Sequence, residues 1–509
     1  MTIDVALVGL DGLPPPLAEG WLAGVLGGTY TSTLTSITPP VTAPAWTCIA
    51  TGLNPGKTGV IDFLNPAADR RSLEPLTSRA VRGLAFWDYA SAAGYVVCVN
   101  DYPVLYPPYP VSGVMAPGFL SPRWATYPPS LFSEVEEGAG PHWEHVYFAA
   151  EKRFDDVLVF LDELIRSFMR KVKWSLYMME RRDWNLYVDV VSHTDWLFHR
   201  CWHILDENHP VLRLKRFRDE AASSEARYLI DLFASLLRSY VSAVRGSSAS
   251  GVLVSDHGFG PLRYRVNTAA LLEATGLMRI ERRRALLSLQ GLVSRLYRLL
   301  LPRRYIENPL SGAPDSFDTI DYSSSAAYTL PHDELMAAVY LSERLRRGPA
   351  REGVLARIRE RVAAVDEAEG LDLVLIDTHR LYRGPRLDRL PDALILSKTS
   401  SAYFEFKPFE KRVAGRGPPS GRYTGVHRYD GVLAVWPGSG GGWSLRAHIL
   451  DVAPTIMKML GLPLPGYLDG SPAAPVKTVA GIGGRLRGRG LLRLRARYAR
   501  ASAMLRGGG

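Results

Sequence analysis

The chain has 509 residues, of which 47% are hydrophobic and 22% charged, with a formal net charge of +10. That balance excludes a disordered or fibrous chain and leaves room for one large α/β domain with insertions, or for two or three smaller domains. Its three cysteines, Cys48, Cys98 and Cys201, lie far apart without CxxC spacing, which argues against a disulfide framework or a thiolate metal site and for buried free thiols.

The chain opens MTIDVALVGLDG. IDVALVGL reads as a buried strand, and Asp11 stands in the Gly-bounded loop that follows. The start has no basic segment followed by a long apolar stretch, and no apolar run reaches the roughly 18 to 20 residues that span a bilayer. These features predict a cytoplasmic protein. Next comes TPPVTAPAWTCIATGLNPGKTGV, in which prolines stiffen the backbone around Thr42. A helix is expected to start near Ala45. Thr42 would then sit at its N-terminus, where free amides and the helix dipole favour a phosphate.

Further apolar runs with helical patterns between them read as parallel strands: YVVCVN at 95, LYVDVV at 186, GVLVSD at 251, LVLIDT at 373, DALILS at 392 and GVLAVW at 431. The alternation predicts an open, mostly parallel α/β sheet. In such sheets ligands bind beyond the carboxyl ends of the strands. Asp11, Asp195 and Asp256 each follow an apolar run and are placed at that edge.

Several residues there are metal-ligand types. Asp195 and His199, in TDWLFH, are four apart and share a face if the segment opens a helix. Asp256 and His257 are adjacent in SDHGFG, where Gly258 lets both turn toward one site. His427 lies in a Gly-rich loop before GVLAVW. Three carboxylates and three imidazoles can hold two divalent cations, and a hydroxyl beside such a pair, Thr42, is a candidate nucleophile for phosphoryl chemistry.

Two stretches, 145–183 and 265–330, read as cap insertions over the site. Much of the positive charge falls in residues 279–305 and in a Gly/Arg-rich tail from 476 to 509, expected as a short helix or as disorder. Both read as solvated basic faces. Peripheral contact with an anionic membrane surface is the alternative. No aromatic-interleaved basic repeat supports specific nucleic-acid binding, and oligomeric state leaves no mark in the sequence.

Taken in order, GLDG, PPVTAPAWTCIATGLNPGKTGV, the Asp195–His199 pair, SDHGFGP, GVHRYDGVL and HILDVAPTIMKMLGLPLPGYLDG resemble the alkaline phosphatase superfamily, in particular the type I phosphodiesterase / nucleotide pyrophosphatase family. The resemblance implies an alkaline-phosphatase-like three-layer sandwich over residues 1–475, with a mostly parallel central sheet and a helical cap insertion. It assigns Asp11, Asp256 and His257 to one metal and Asp195, His199 and His427 to the other, with Thr42 between them. The pair is expected to be zinc, and manganese or iron also suits such ligands. Hydrolysis of a small phosphodiester or pyrophosphate through a phospho-threonine intermediate follows. The alternatives are a phosphomonoesterase, a phosphonate hydrolase or a phosphotransferase acting on a lipid-linked substrate. A non-catalytic binding protein is disfavoured, because all seven positions keep functional residue types. Sulfatases of the superfamily use a Cys/Ser-x-Pro-x-Arg pattern, and Thr42-Ala43-Pro44-Ala45-Trp46 lacks the Arg. One departure is Ala45, where nucleotide pyrophosphatases commonly have Asn.

Overall fold

In the computed structural model, residues 2–119, 121–122, 125–141, 156–281, 319–332, 334–416, 423–438, 440–474, 476–479 and 489–506 are described. The core is an eight-stranded sheet built from β1 (Ile3–Leu10), β2 (Tyr30–Thr35), β3 (Val97–Tyr102), β4 (Gly113–Pro117), β5 (Trp184–Val191), β6 (Ser248–Val254), β9 (Asp430–Trp436) and β10 (Gly441–His448). A short ribbon of β7 (Gly258–Pro261) and β8 (Gly425–Arg428) adjoins it. The order is β10-β2-β9-β6-β1-β5-β3-β4. β9 alone runs antiparallel to its neighbours, β2 and β6.

β1 is central, with β5 and β6 parallel on either side. Its alternation sends Val5 and Leu7 to one face and Ala6, Val8 and Leu10 to the other. Both faces are covered, which is why these strands read as continuous apolar runs. The first face packs against α1 (Thr42–Thr51), α2 (Phe86–Ala93) and α6 (Val452–Met459). The second packs against α3 (Val157–Glu180), α4 (His193–Leu205) and α5 (Ser224–Gly246). The result is a three-layer α/β sandwich.

Two expectations need correction. LVLIDT and DALILS are strands, Leu373–Asp377 and Ala393–Ser397, but they belong to a separate four-stranded sheet with Ala327–Thr329 and Ala337–Leu341. All its pairings are antiparallel. A short apolar run specifies burial on both faces and says nothing of direction or partner. Within the expected insertion 145–183, residues 157–180 form α3. This helix turns Phe160, Leu161, Leu164 and Phe168 into the core, so it is part of a face layer rather than a cap. In the tail, residues 489–505 form a helix, α7 (Arg489–Leu505). It buries Leu494, Ala501 and Leu505, and Tyr498 meets Tyr89 edge-on. Helical spacing of those four residues gives the otherwise basic segment one apolar stripe. The basic run 279–305 falls largely outside the described residues.

The three cysteines are free and buried. Among the described residues no helix is long and apolar enough to cross a membrane.

One buried ion-pair network ties α3 to the sheet. Lys171, with no exposed surface, donates to Asp189 Oδ2 on β5 at 2.5 Å and to Ser175 Oγ at 2.7 Å, and lies 3.5 Å from Asp101 Oδ2. Asn100 and Tyr240 also donate to Asp189. Removing the cation strands buried carboxylates, and desolvation then dominates. Lys171→Met is therefore expected to cost about 3–5 kcal/mol of stability. Urea unfolding would show this as a lowered midpoint, and adding Asp189→Leu should recover much of the loss.

Candidate active site

The segments that follow β1, β5 and β6, the short strand β8 and the start of α1 converge on a single buried cluster. Asp11 follows β1, its amide bonded to Val191 O at 3.0 Å, so the β1–β5 pairing extends one residue to place it. Thr194 Oγ1 donates to Asp11 O at 2.6 Å and fixes the entry of α4 against that loop. α4 begins at His193, and its first two turns put Asp195 and His199 on one face. Asp256 and His257 fill the two-residue gap between β6 and β7. β7 pairs antiparallel with β8, His427 opposite Phe259, and this ribbon brings His427 against His257 with ring centroids 3.7 Å apart.

Two glycines permit the arrangement. Gly12 has φ +73°, and its amide donates to Asp256 Oδ1 at 3.2 Å. Gly258 has no room for a side chain, since a Cβ there would meet Asp430 O at 2.2 Å. Its role is close backbone approach rather than a left-handed turn.

Thr42 is the first residue of α1, three residues earlier than expected, with Val41 as its cap and Pro44 accepted in the first turn. Its Oγ1 lies 3.2 Å from His257 Nε2. The helix axis therefore puts its positive end at the hydroxyl. Ala45 and Trp46 point into the core and are fully buried. Ala45 joins the core cluster on the sheet face and brings no amide donor three residues after Thr42. Trp46 Nε1 donates to Asp11 Oδ2 at 3.3 Å, so this aromatic both packs and orients a carboxylate.

All six predicted ligands are brought together, and each is buried. His257 Nε2 lies 3.4 Å from Asp11 Oδ1 and 3.3 Å from Asp256 Oδ2. His427 Nε2 lies 3.2 Å from Asp195 Oδ1 and 3.0 Å from His199 Nε2. Ligand atoms of Asp195, His199 and His427 fall within 4.8 Å of one another, and so do those of Asp11, Asp195 and His257. Asp195 thus belongs to both groups and stands between them.

The donor set fits cations. His257 Nδ1 faces Gly258 O at 3.2 Å and His427 Nδ1 faces Pro40 O at 2.9 Å. A proton on each Nδ1 leaves the Nε2 lone pair aimed into the cluster. Burial, reinforced by the neighbouring imidazoles, holds His199 and His257 far below the usual histidine range, so both stay neutral. Asp11 Oδ1, Asp195 Oδ1 and Asp256 Oδ2 are buried without a hydrogen bond. Burial pushes Asp11 up to about 6. Burial and then the Asp11 charge push Asp195 and Asp256 far above the carboxylate range. Three such carboxylates need positive charge among them.

Glu334 was not among the residues expected at the site. It comes from the loop between Ala327–Thr329 and Ala337–Leu341 of the antiparallel sheet, and its Oε1 reaches within 3.5 Å of His199 Nδ1. The run PHDEL is rich in ligand-type residues, yet only the fold brings it to the site. Around it an apolar cluster of Val41, Leu262, Leu335, Tyr423 and Val426 is packed, with Phe63 and Tyr403 against it.

A sequence model described as type I phosphodiesterase / nucleotide pyrophosphatase matches residues 5–343, more than half of the chain. No curated protein matches it. Among solved structures, the chain is similar to human ectonucleotide pyrophosphatase / phosphodiesterase 5, with a TM-score of 0.45 and 11% identity over 92% of this chain and 97% of that one. It is also similar to a phosphonoacetate hydrolase from Sinorhizobium meliloti, with a TM-score of 0.44 and 13% identity over 89% and 94% of the two chains.

The carboxylate shifts fix the sign of a pH effect. Without cations, Asp11 binds its proton more tightly folded than unfolded, so its contribution to stability falls as pH rises from about 4 toward about 6, and Asp195 and Asp256 extend the loss upward. Below about pH 6.5 the depressed His199 and His257 act in the opposite sense, so the carboxylates decide the slope only above it: chelator-stripped protein should melt at a lower temperature at about pH 8 than at about pH 7, and zinc should flatten or reverse that slope. Calorimetry across that range is the measurement. A stripped protein that gains stability with pH would contradict the electrostatics.

Proposed function

The chain belongs to the type I phosphodiesterase / nucleotide pyrophosphatase family of hydrolases, and from that premise we propose that it cleaves phosphodiester or pyrophosphate bonds with two divalent cations and a phospho-Thr42 intermediate. The observation that carries the reading is the position of Thr42. Its hydroxyl is buried 3.2 Å from His257 Nε2, at the start of a helix and beside three carboxylates and three imidazoles drawn from the segments that follow β1, β5 and β6 and from β8.

Asp195, His199 and His427 are assigned to one cation. Asp11, Asp256 and His257 are assigned to the other, with Asp195 between the two sets. Bound there, the cations supply Lewis acidity that lowers the proton affinity of the nucleophiles and offsets phosphoryl charge. Zinc suits this mix of imidazole and carboxylate.

The protein's own contribution is placement. Neutral His199 and His257 keep lone pairs directed inward at any pH near neutrality. Trp46 and the Gly12 amide hold Asp11 and Asp256 in fixed orientations. Thr42 Oγ attacks phosphorus in line, forming the Thr–O–P bond as the bond to the leaving alcohol or phosphate breaks on the opposite side, and the hydroxyl proton leaves with the departing group. Water then attacks the same phosphorus, breaking the Thr–O–P bond and returning the proton to Thr42. The start of α1 presents its dipole to the equatorial oxygens in both steps.

Thr42→Ala should lower turnover of bis-p-nitrophenyl phosphate by at least about 10³-fold. Its metal content, measured by plasma mass spectrometry, should match the wild type. Acid quench of wild type with a labelled substrate should trap label on Thr42. Full activity in Thr42→Ala would remove the nucleophile assignment. Wild-type protein with neither bound metal nor hydrolysis in added zinc or manganese would remove the reading as a whole.

A further inference from the structure

We infer that Glu334, outside the six ligands, is a positioning residue for His199 and tunes how tightly the Asp195–His199–His427 set holds its cation. The inference rests on the two-cation reading above and extends it to the antiparallel sheet.

The geometry comes first. His199 turns Nε2 toward Asp195, at 3.6 Å, and toward His427 Nε2, at 3.0 Å. The other ring nitrogen, Nδ1, faces Glu334 Oε1 at 3.5 Å. A carboxylate on the far edge of an imidazole favours the tautomer with its proton at Nδ1. It also limits ring rotation and makes Nε2 a stronger donor. His257 Nδ1 and His427 Nδ1 face backbone carbonyls, Gly258 O and Pro40 O. His199 is thus distinguished by an acidic neighbour.

Glu334 is held in place by its surroundings. Its carbonyl accepts from Phe404 N at 2.7 Å. Two residues earlier, His332 Nδ1 pairs with Asp62 Oδ2 at 2.7 Å, while its Nε2 meets Tyr340 OH at 2.5 Å. One residue later, Leu335 packs with Val41 and Val426, the residues next to Thr42 and His427. The loop is therefore stapled to the catalytic body on both sides of Glu334. A long acidic side chain with these anchors loses little further freedom on meeting His199.

Charge points the same way. Three ligand carboxylates leave two divalent cations with one positive charge unmatched. Glu334 is a fourth carboxylate, partly shielded from solvent, with its side chain 15% exposed. Its field acts on the His199 side of the site and so acts unequally on the two cations.

The test uses the full-length protein and zinc itself. Zinc is titrated into metal-free wild type, Glu334→Gln, Glu334→Asp and Glu334→Ala against a chromogenic chelator. Visible spectra of the cobalt(II)-loaded proteins are recorded in parallel. The expected result is a loss of about 10- to 100-fold in affinity at one of two zinc sites in Glu334→Gln and Glu334→Ala, the other site unchanged. The cobalt spectrum should change for the same single site, and Glu334→Asp should fall between. Melting temperatures at saturating zinc should stay close to wild type, which separates positioning from a folding defect. Equal affinities at both sites in all four proteins would overturn the role of Glu334 while leaving the two-cation reading intact. A wild type that takes up no zinc would overturn that reading, and this inference with it.

Discussion

The structure depends on one electrostatic constraint. Asp11, Asp195 and Asp256 are buried within reach of one another, and burial alone drives all three toward the protonated state. An arrangement so costly to an empty protein persists only if folding elsewhere fixes it. The sheet does this. β1, β5 and β6 are adjacent and parallel, so the loops that follow them emerge at one edge. No side chain has to reach far. The apolar faces of the sandwich supply the stability that the polar edge consumes.

The same constraint explains why histidines alternate with the carboxylates. A fourth or fifth carboxylate among the ligands would deepen the repulsion, whereas a neutral imidazole adds a donor at no charge. Keeping His199 and His257 neutral is again a matter of burial, and Gly258 O and Pro40 O take up the Nδ1 side of His257 and His427. The backbone carbonyls that orient two ligands belong to the segments carrying His257 and Thr42. Ligand and nucleophile geometry are therefore set by the same two segments.

How much of this was legible follows from where the information lay. The strand-end placement of Asp11, Asp195 and Asp256 was legible, because buried parallel strands are long apolar runs and their ends are marked by polar residues and glycine. The Asp195–His199 spacing was legible because helical periodicity is local. Three features were not. The shared position of Asp195 depends on the distance between β1 and α4, which no local pattern encodes. Leu373–Asp377 and Ala393–Ser397 carry the apolar content of core strands, and their antiparallel pairing comes only from tertiary packing. Glu334 lies 135 residues beyond His199 in the chain, and its neighbours His332 and Leu335 reveal their purpose only through Asp62, Tyr340 and Val41. The helix was expected to start near Ala45, within the proline-stiffened stretch, whereas it already begins at Thr42. Proline is accepted within the first turn, where its missing N–H costs nothing.

These contrasts divide the molecule by task. The parallel sheet supplies ligands whose positions are fixed by strand ends. It tolerates little variation there, since Gly12 and Gly258 leave no space for larger residues. The antiparallel sheet and its loops supply what lies around those ligands: Glu334 on His199 and Leu335 beside Val41. Side chains of this second kind can change without disturbing the strand ends. The ligand positions are thus built into the layer that cannot vary, and their surroundings into the layer that can.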